Sequence, residues 1–400
     1  MGFLSGIRVV TFTTSVAGPN AARILAQCGA EVIKIESKHG GLDNFRFFGA
    51  GTDVNSSSRF VESNLNVLSV QINLKHPTGR RLTKELIAKS DVVLDNFRPE
   101  VMSRLGLGSE ELRQLKPELI VIRMPGLGLW GPKFKYGTFG STLTAFSGMT
   151  YLWNHPGQPR PIGAQGVYPD YVCSTLAPAA VIAALIRRRA TGQGATLELA
   201  QAEATAYMLG ANLMDAALNG REPQPLGNGW PSGAPHNCYP CRGQDRWCVI
   251  AVETDEQWRT LAAILGRPDL GEDERYATLA ARRERLPDID AMVSTWTRDR
   301  DAHEVMHTLQ RAGVPAGVVQ SGEDLYNDPH LRDRGFISSI DHPTLGHMPL
   351  AAVPVHISDG GIDQAQCSDV LGGHTEYAIC ELLGYSHEQL VAWQQEEVLE

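Results

Sequence analysis

The sequence predicts an α/β fold: a Rossmann-like large domain with a mostly parallel sheet, and a smaller α+β domain. Strand-like and helix-like segments alternate through the first half of the chain, which is the pattern of repeated βαβ units. Residues 219–240, rich in proline and glycine, separate this half from a region of different composition. The length of 400 residues also exceeds the usual size of one domain.

The chain opens with a βαβ unit. The apolar run IRVVTF (7–12) predicts a buried strand, and a helix over 19–29 follows it and ends at Gly29. The segment EVIKIE (31–36) predicts the second strand. Ligands of such sheets bind at the carboxyl ends of the strands, so the loops after these strands are where function is expected.

Strand-like and helix-like segments continue to alternate over residues 67–124. Residues 67–74 alternate apolar and polar side chains and predict a strand, and an amphipathic helix over 76–90 follows. The segment DVVLDNF (91–97) predicts another strand, and residues 109–124 add a short helix and one more strand. These strands extend one parallel sheet.

Helical patterns follow over 139–153 and 177–194, the second closed by Gly192, and 195–218 predicts a strand leading into a long helix. Past the proline- and glycine-rich segment, several helices and short strands predict the small domain, and a terminal helix is predicted over 374–385. The predicted large domain spans 1–220 completed by 330–400, and the small domain spans 221–329.

Composition excludes several functional classes. A net charge of −9 with no basic cluster beyond Arg187–Arg189 argues against nucleic-acid binding. We expect no membrane insertion and a cytoplasmic protein, because no apolar run has the length of a span and the N-terminus lacks a secretory signal. Seven cysteines with one CxxC, at Cys238 and Cys241, predict buried thiols and no metal site.

Asp170 stands between two aromatic residues, in GVYPDYVCST (166–175), just before an apolar run. An aspartate at a helix start commonly accepts backbone N–H groups and interacts with the positive end of the helix dipole. From these residues alone, a helix cap and a chemical role are about equally supported.

Five segments of the chain stand in a recognisable order and spacing: LSGIRVVTFTTSVAGPNAARILAQCGAEVIKIE, VLSVQINLKHPTGRRL, DVVLDNFRPEVMSRLGLG, FSG and AALIRRRATGQGATLELAQAEA. Together they resemble the family III CoA-transferases, such as the formyl-CoA, carnitine and benzylsuccinate CoA-transferases, which share a superfamily with the α-methylacyl-CoA racemases. The resemblance extends to about residue 265. It implies an interlocked dimer, either a homodimer or a heteromer with a similar subunit, and acyl-CoA as a substrate with no permanently bound cofactor.

The resemblance implies that Asp170 is the catalytic group. Its carboxylate would attack an acyl-CoA thioester, and an aspartyl-CoA thioester would then pass CoA to an acceptor carboxylate. The implied donor is succinyl-CoA, and the implied acceptor is a carboxylic acid that is aromatic or branched, as in the benzylsuccinate type.

The resemblance also implies a set of binding residues. Arg98 and Lys34 are weaker candidates for contacts with CoA. The segment 227–236 is predicted to be a mobile glycine-rich lid, with a plain domain linker as the alternative. The implied cofactor-binding residues are Asn96, Phe97, Arg104, Val16, Ser37, Leu74 and Lys75, and the implied substrate and loop residues are Phe139, Gly140, Gly229 and Gly233.

Three other functions remain to be weighed. Racemases of this superfamily carry a histidine and an aspartate where this chain has YGTFGS (136–141), which argues against proton abstraction. Departures from the family pattern at Asn66 and Gly140 keep a non-catalytic partner subunit as an alternative. A dinucleotide-dependent dehydrogenase would need a G-x-G-x-x-G motif after the first strand, and TSVAGPN lacks it.

Overall fold

The computed structural model describes residues 2–39, 41–49, 53–161, 166–356, 358, 365–366 and 370–400. The chain divides into two compact units. The first comprises Met1–Met149, Gln165–Gly220 and His330–Glu400, and the second comprises Thr150–Ala164 and Arg221–Pro329.

The strands form three sheets. In chain order they are β1 (Arg8–Phe12), β2 (Glu31–Glu36), β3 (Val67–Gln71), β4 (Val92–Asp95), β5 (Ile120–Arg123), β6 (Ala195–Glu198), β7 (His236–Pro240), β8 (Trp247–Ala251), β9 (Ala316–Val318), β10 (Ile337–His342) and β11 (Gly346–Ala351). The first six form one sheet in the order β3-β2-β1-β4-β5-β6, and every neighbouring pair in it is parallel. This confirms the predicted α/β fold.

The helices connect these strands and cover the sheets. In chain order they are α1 (Ala17–Gln27), α2 (Ser58–Ser63), α3 (Pro77–Ala88), α4 (Pro99–Arg104), α5 (Ser109–Leu115), α6 (Gly140–Phe146), α7 (Met149–Leu152), α8 (Tyr168–Thr191), α9 (Gln201–Met208), α10 (Gly210–Asn219), α11 (Asp255–Ile264), α12 (Asp269–Glu272), α13 (Leu279–Glu284), α14 (Leu286–Thr297), α15 (Ala302–Arg311), α16 (Gly322–Asn327), α17 (Pro329–Asp333) and α18 (His387–Gln395). A 3₁₀ turn at Asn44–Phe47 and a π-helical segment at Tyr377–Leu382 complete the described elements.

Helices cover both faces of the parallel sheet. Alternate strand residues such as Val9 and Val10 enter two different apolar clusters, because successive side chains of a strand point to opposite faces. One cluster packs the sheet against α1 and α8, and the other packs it against α3 and the C-terminal residues. These C-terminal residues include Val398, which is fully buried.

Three local predictions are corrected. The helix predicted to follow Asp170 begins earlier, at Tyr168, so Asp170 lies in its first turn. The long helix predicted after β6 is two helices, because the backbone leaves helical geometry at Leu209, just before Gly210, a poor helix former. At the C-terminus, the predicted helix is partly π-helical, and α18 follows it after Ser386.

The order of the strands determines where a ligand can bind. The chain runs from β1 outward to β3, returns to β4 beside β1, and continues outward on the other side. The loops that leave β1 and β4 therefore diverge, which opens a crevice at the carboxyl ends of these two strands. Thr13–Ser15 follow β1, and Asn96–Arg98 follow β4.

The second unit holds the antiparallel sheet β7-β8-β9 and its own apolar cluster around Trp258, which is fully buried. Gly229 and Gly233 precede β7. The N–H of Gly229 donates to the carbonyl of Leu226 at 2.9 Å, and the N–H of Gly233 donates to the carbonyl of Trp230 at 3.2 Å. This segment is a series of tight turns.

The CxxC cysteines also lie in the second unit, where burial raises the pKa of both thiols, Cys238 and Cys241. Cys367 lies outside the described residues. Among the described residues, no group of three or more His, Cys, Asp or Glu side chains could hold a metal ion.

Within the described ranges, α8 alone has the length and apolar composition of a helix that could cross a bilayer. Core helices pass the same test, so this is weak evidence for a membrane span. Cys173, Ala177 and Val181 of α8 are fully buried in the core against the sheet.

Candidate active site

Two adjoining cavities occupy the crevice between β1 and β4. The larger has a volume of about 490 Å³, and the smaller has a volume of about 90 Å³. Residues of both crevice loops line both cavities, among them Thr14, Asn96 and Phe97. The site therefore forms where the strand order predicts a ligand.

Asp170 lines the small cavity from the first turn of α8. Its side chain is buried, and its Oδ2 has no hydrogen-bond partner among the described residues. Burial raises the pKa of Asp170 from 3.8 to about 6, and hydrogen bonds from the backbone N–H of Ala17 and from its own N–H oppose that rise. One carboxylate oxygen is thus left unpaired beside the small cavity.

Asp170 is not the cap residue of α8 but lies in its first turn, where its carboxylate accepts its own N–H. The cap residue is Val167, and among the described residues no side chain caps this helix end. The N–H group of Ala17, in the first turn of α1, also reaches the Asp170 carboxylate. The positive end of α1 is therefore available to stabilise the ionised form.

Gly140 lies against this carboxylate. It is the first residue of α6, and a Cβ atom placed on it would overlap Oδ2 of Asp170 and lie 2.6 Å from the Cβ of Val167. Every other residue type would displace the Asp170 side chain or the start of α8. The departure from the family pattern at Gly140 thus has a steric reason in this chain.

The loop after β1 is strained and held by a buried acid. Ser15 has a φ of 66°, a left-handed conformation that side chains other than glycine rarely adopt. The N–H of Ser15 donates to Oδ1 of Asp43 at 2.9 Å, and Thr14 Oγ1 donates to the same oxygen at 3.3 Å. Asp43 thereby fixes the backbone that leads to Ala17.

Asp43 is neutralised by Lys34, whose Nζ lies 2.6 Å from its Oδ2. Both side chains are almost fully buried, so each of the two side chains compensates the other within the protein. Lys34 also donates to Asn64 at 3.0 Å. The ammonium of Lys34 therefore supports the loop from inside the protein and does not line either cavity.

Asn96 joins the two crevice loops. Its Oδ1 accepts the N–H of Thr14 at 3.0 Å, and its Nδ2 donates to the carbonyl of Thr14 at 2.9 Å. This pair of bonds uses the polar atoms of the amide to hold the protein backbone while the side chain lines both cavities.

The structure brings most of the predicted residues to the crevice. Ser37, Leu74 and Lys75 line the large cavity, Gly140 lines the small one, and Phe97 and Phe139 line both, as does the weaker candidate Arg98. Ser37 also donates to Oε1 of Glu400 at 2.9 Å.

Other predicted residues lie elsewhere. Arg104 is exposed at the end of α4 and lines neither cavity, and Val16 is buried immediately before α1. Gly229 and Gly233 belong to the second unit. Asn66, where the family pattern predicts a positive charge, has a φ of 63° and accepts the N–H of Gln366 at 3.0 Å.

Sequence reasoning missed several lining residues. His39 and Asn44 follow β2 and could have been found as loop residues after a strand, because that is where ligands bind in such sheets. Gln201 had no such signal. It lies in the first turn of α9 and donates to the carbonyl of Met124 at 3.0 Å. Its Oε1, beside the small cavity, has no hydrogen-bond partner in the described part of the chain.

The arrangement suits a nucleophilic carboxylate better than a proton relay. Asp170 is the one carboxylate among the described residues that line the small cavity, and no histidine lines it. A racemase would need a second acid or base there. A desolvated carboxylate, by contrast, is well suited to attack a carbonyl carbon, because water no longer shields its unpaired oxygen.

Comparison with known proteins identifies relatives along nearly the whole chain. The model of "CoA-transferase family III" matches residues 4–375. The succinyl-CoA–D-citramalate CoA-transferase of Chloroflexus aurantiacus is 32% identical over 99% of this chain and 98% of its own length. The succinyl-CoA–L-malate CoA-transferase alpha subunit of Chloroflexus aurantiacus is 31% identical over 97% of this chain and 90% of its own.

A solved structure is similar as well. A CAIB/BAIF family protein from Brucella suis is 28% identical to this chain, with a TM-score of 0.87. The alignment covers 95% of this chain and 99% of that protein.

We expect the variant Asp170→Asn to be more stable than the wild type at about pH 7. The folded state holds the Asp170 proton up to about pH 6, whereas the unfolded chain loses it near 3.8, so ionisation lowers stability as the pH rises between these values. The shift corresponds to about 2–3 kcal/mol. Urea unfolding of both proteins at several pH values measures the difference between their free energies of unfolding.

The gain in stability should shrink as the pH falls through this window. Asp95, whose pKa burial also raises to about 6, is present in both proteins and cancels in the difference. A variant no more stable than the wild type at neutral pH would contradict the desolvated carboxylate.

Proposed function

The chain belongs to CoA-transferase family III and is a CoA-transferase, and from that premise we propose that it transfers CoA from succinyl-CoA to a carboxylic acid through a thioester on Asp170. The observation that carries the proposal is the buried Asp170 carboxylate, with one oxygen unpaired, beside a large cavity. The relatives named for succinyl-CoA support the choice of donor.

The proposed reaction exchanges two acyl groups on one carboxylate. Asp170 attacks the thioester carbonyl, which forms a mixed anhydride and releases CoA thiolate. The thiolate attacks the Asp170 carbonyl carbon, which forms the aspartyl-CoA thioester and releases succinate with one oxygen from Asp170. The acceptor carboxylate then attacks this thioester, which forms a second mixed anhydride and releases the CoA thiolate. The thiolate attacks the acceptor carbonyl carbon of this anhydride. This forms the acceptor CoA thioester and regenerates the aspartate with one oxygen from the acceptor.

The large cavity supports the binding of CoA. Its lining includes the cationic side chain of Lys75, which could pair with a phosphate, and apolar side chains such as Phe97 and Leu74. The small cavity opens beside it and contains Asp170. The proposed thioester would therefore lie in the small cavity beside Asp170, with CoA extending into the large cavity.

Other proposals rest on the resemblance alone. The lid role of Gly229 and Gly233, the CoA contacts of Arg104 and Val16, and an aromatic acceptor of the benzylsuccinate type remain predictions. A cytoplasmic location, which was predicted from composition and the N-terminal sequence, also remains a prediction. No resident cofactor is needed for the proposed chemistry, because acyl-CoA enters and leaves as a substrate.

We also propose that the chain acts as a dimer. None of the residues of α10 is buried, and Leu218, Leu213 and Met214 on it are 76%, 57% and 60% exposed. Tyr207 of α9 is 84% exposed. So many exposed apolar side chains are typical of a surface that another chain covers. The relative named as an alpha subunit makes a heteromer the alternative.

The covalent route is tested by trapping. After incubation with succinyl-CoA and quenching with hydroxylamine, we expect peptide mass spectrometry to find a hydroxamate on Asp170, because both proposed acyl intermediates react with this nucleophile. The variant Asp170→Asn should give none at that position. An unmodified Asp170 in a protein that binds CoA would contradict the mechanism.

Gly140→Ala should lower kcat strongly without unfolding the protein. The new methyl group would turn the Asp170 carboxylate away, and a displacement of this size can lower kcat about 100-fold. The matched control is Gly322→Ala, since Gly322 is also the first residue of a short helix and has open space around its Cβ position. Equal kcat values in the two variants would contradict the steric role of Gly140.

Analytical ultracentrifugation tests the assembly. We expect the purified chain to sediment as a dimer, and Leu213→Glu combined with Leu218→Glu should shift it towards the monomer, because burying two carboxylates in an apolar interface is unfavourable. A wild-type monomer would contradict self-association, and dimerisation only with a similar second chain would favour the heteromer.

A further inference from the structure

Arg98 lies where the two cavities meet. It follows β4, lines both cavities and is exposed to them. Of the described residues that line the small cavity, it is the one with a cationic side chain, whereas Lys75 and His39 line the large cavity only. The small cavity therefore contains one negative group, Asp170, and one positive group, Arg98.

The guanidinium of Arg98 packs against Gly137. A Cβ atom placed on Gly137 would lie 2.9 Å from Cζ of Arg98, so the guanidinium lies directly against the Gly137 backbone. Within the part of the chain that the structure describes, no carboxylate pairs with Arg98. The neighbouring cation Lys135 is occupied by Glu100, at 2.7 Å. The N–H donors of Arg98 are therefore available to a ligand.

A ligand with a second carboxylate fits this arrangement. The reacting carbonyl of a bound acyl group must lie beside Asp170, and the cavity volume of about 90 Å³ leaves room for a short chain beyond it. A carboxylate at the far end of such a chain would meet a guanidinium, whose planar donors bind carboxylates in a bidentate manner. A methyl group at the same place would leave Arg98 without a partner.

We propose that Arg98 is a specificity-determining residue that pairs with the second carboxylate of dicarboxylic acyl groups and acceptor acids. This inference rests on the proposed function and adds to it the class of substrate. The acids in the names of the two relatives, D-citramalate and L-malate, are dicarboxylic acids. Benzylsuccinate belongs to the same class.

The guanidinium could instead bind a phosphate of CoA, since it also lines the large cavity. The two roles differ in what they recognise. A phosphate contact strengthens the binding of every acyl-CoA and of free CoA equally. A carboxylate contact strengthens the binding only of ligands that carry a second carboxylate.

The test compares succinyl-CoA with butyryl-CoA, which has the same chain length and lacks the second carboxylate. For the wild type and for Arg98→Met, kcat/KM is measured with each donor, with the same acceptor, and the Kd of free CoA is measured by calorimetry. We expect the variant to lower the succinyl-to-butyryl ratio about 10- to 100-fold, the loss of a charge-assisted hydrogen-bonding pair, with an unchanged Kd for CoA. Arg113→Met, at an exposed arginine outside both cavities, should leave the ratio unchanged.

The contrary outcomes are distinct. A parallel loss with both donors and weaker binding of free CoA would assign Arg98 to a phosphate and overturn the proposal, and so would an unchanged ratio. If Arg98→Met does not fold, Gly137→Ala retains the arginine but displaces its guanidinium, and it should lower the same ratio. The hydroxamate on wild-type Asp170 reports separately on the proposed function, so a failure of that function is not confused with a failure of the role of Arg98.

Discussion

The burial of the Asp170 carboxylate, between the first turn of α1 and the backbone of Gly140, is the constraint on which the site depends. α1 and α8 must pack side by side on one face of the sheet for Ala17 to reach Asp170. The first residue of α6 must be glycine for the carboxylate to fit. Burial raises the carboxyl pKa, so part of the stability of the fold is given up to keep a reactive group desolvated.

The charged groups around the site fall into two sets. Lys34 and Arg46 are buried and paired with Asp43 and Glu36, so they stabilise the loops without facing a ligand. Arg98 and Lys75 line the cavities and are left to the substrate. Because buried charges must be compensated within the protein, the division follows from burial, and it separates the cations that support the loops from those that can bind an anion.

Much of the fold could be predicted from local patterns, whereas the site could be predicted only in part. Buried strands such as β1 and β2 are recognisable as apolar runs, and Gly192 ends α8 in a left-handed conformation, as its position predicts. α18 was missed because only Leu390 in it is buried, which leaves no clear apolar period. Asp170 was identified from the family resemblance. Asp43 was missed because its partners Ser15 and Lys34 approach it only in the folded chain.

The covalent role of Asp170 is tested most directly by measuring the transfer of labelled oxygen from the acceptor acid to the carboxylate of this residue. An acceptor acid labelled with heavy oxygen in its carboxylate is turned over with succinyl-CoA, and the peptide that contains Asp170 is then weighed. In a single turnover we expect Asp170 to gain one heavy oxygen, because the acceptor oxygen that bonded to the aspartyl carbon stays on the aspartate when CoA passes to the acceptor. Turnover with no label on Asp170 would show that CoA moves without a covalent bond to this residue and would contradict the account.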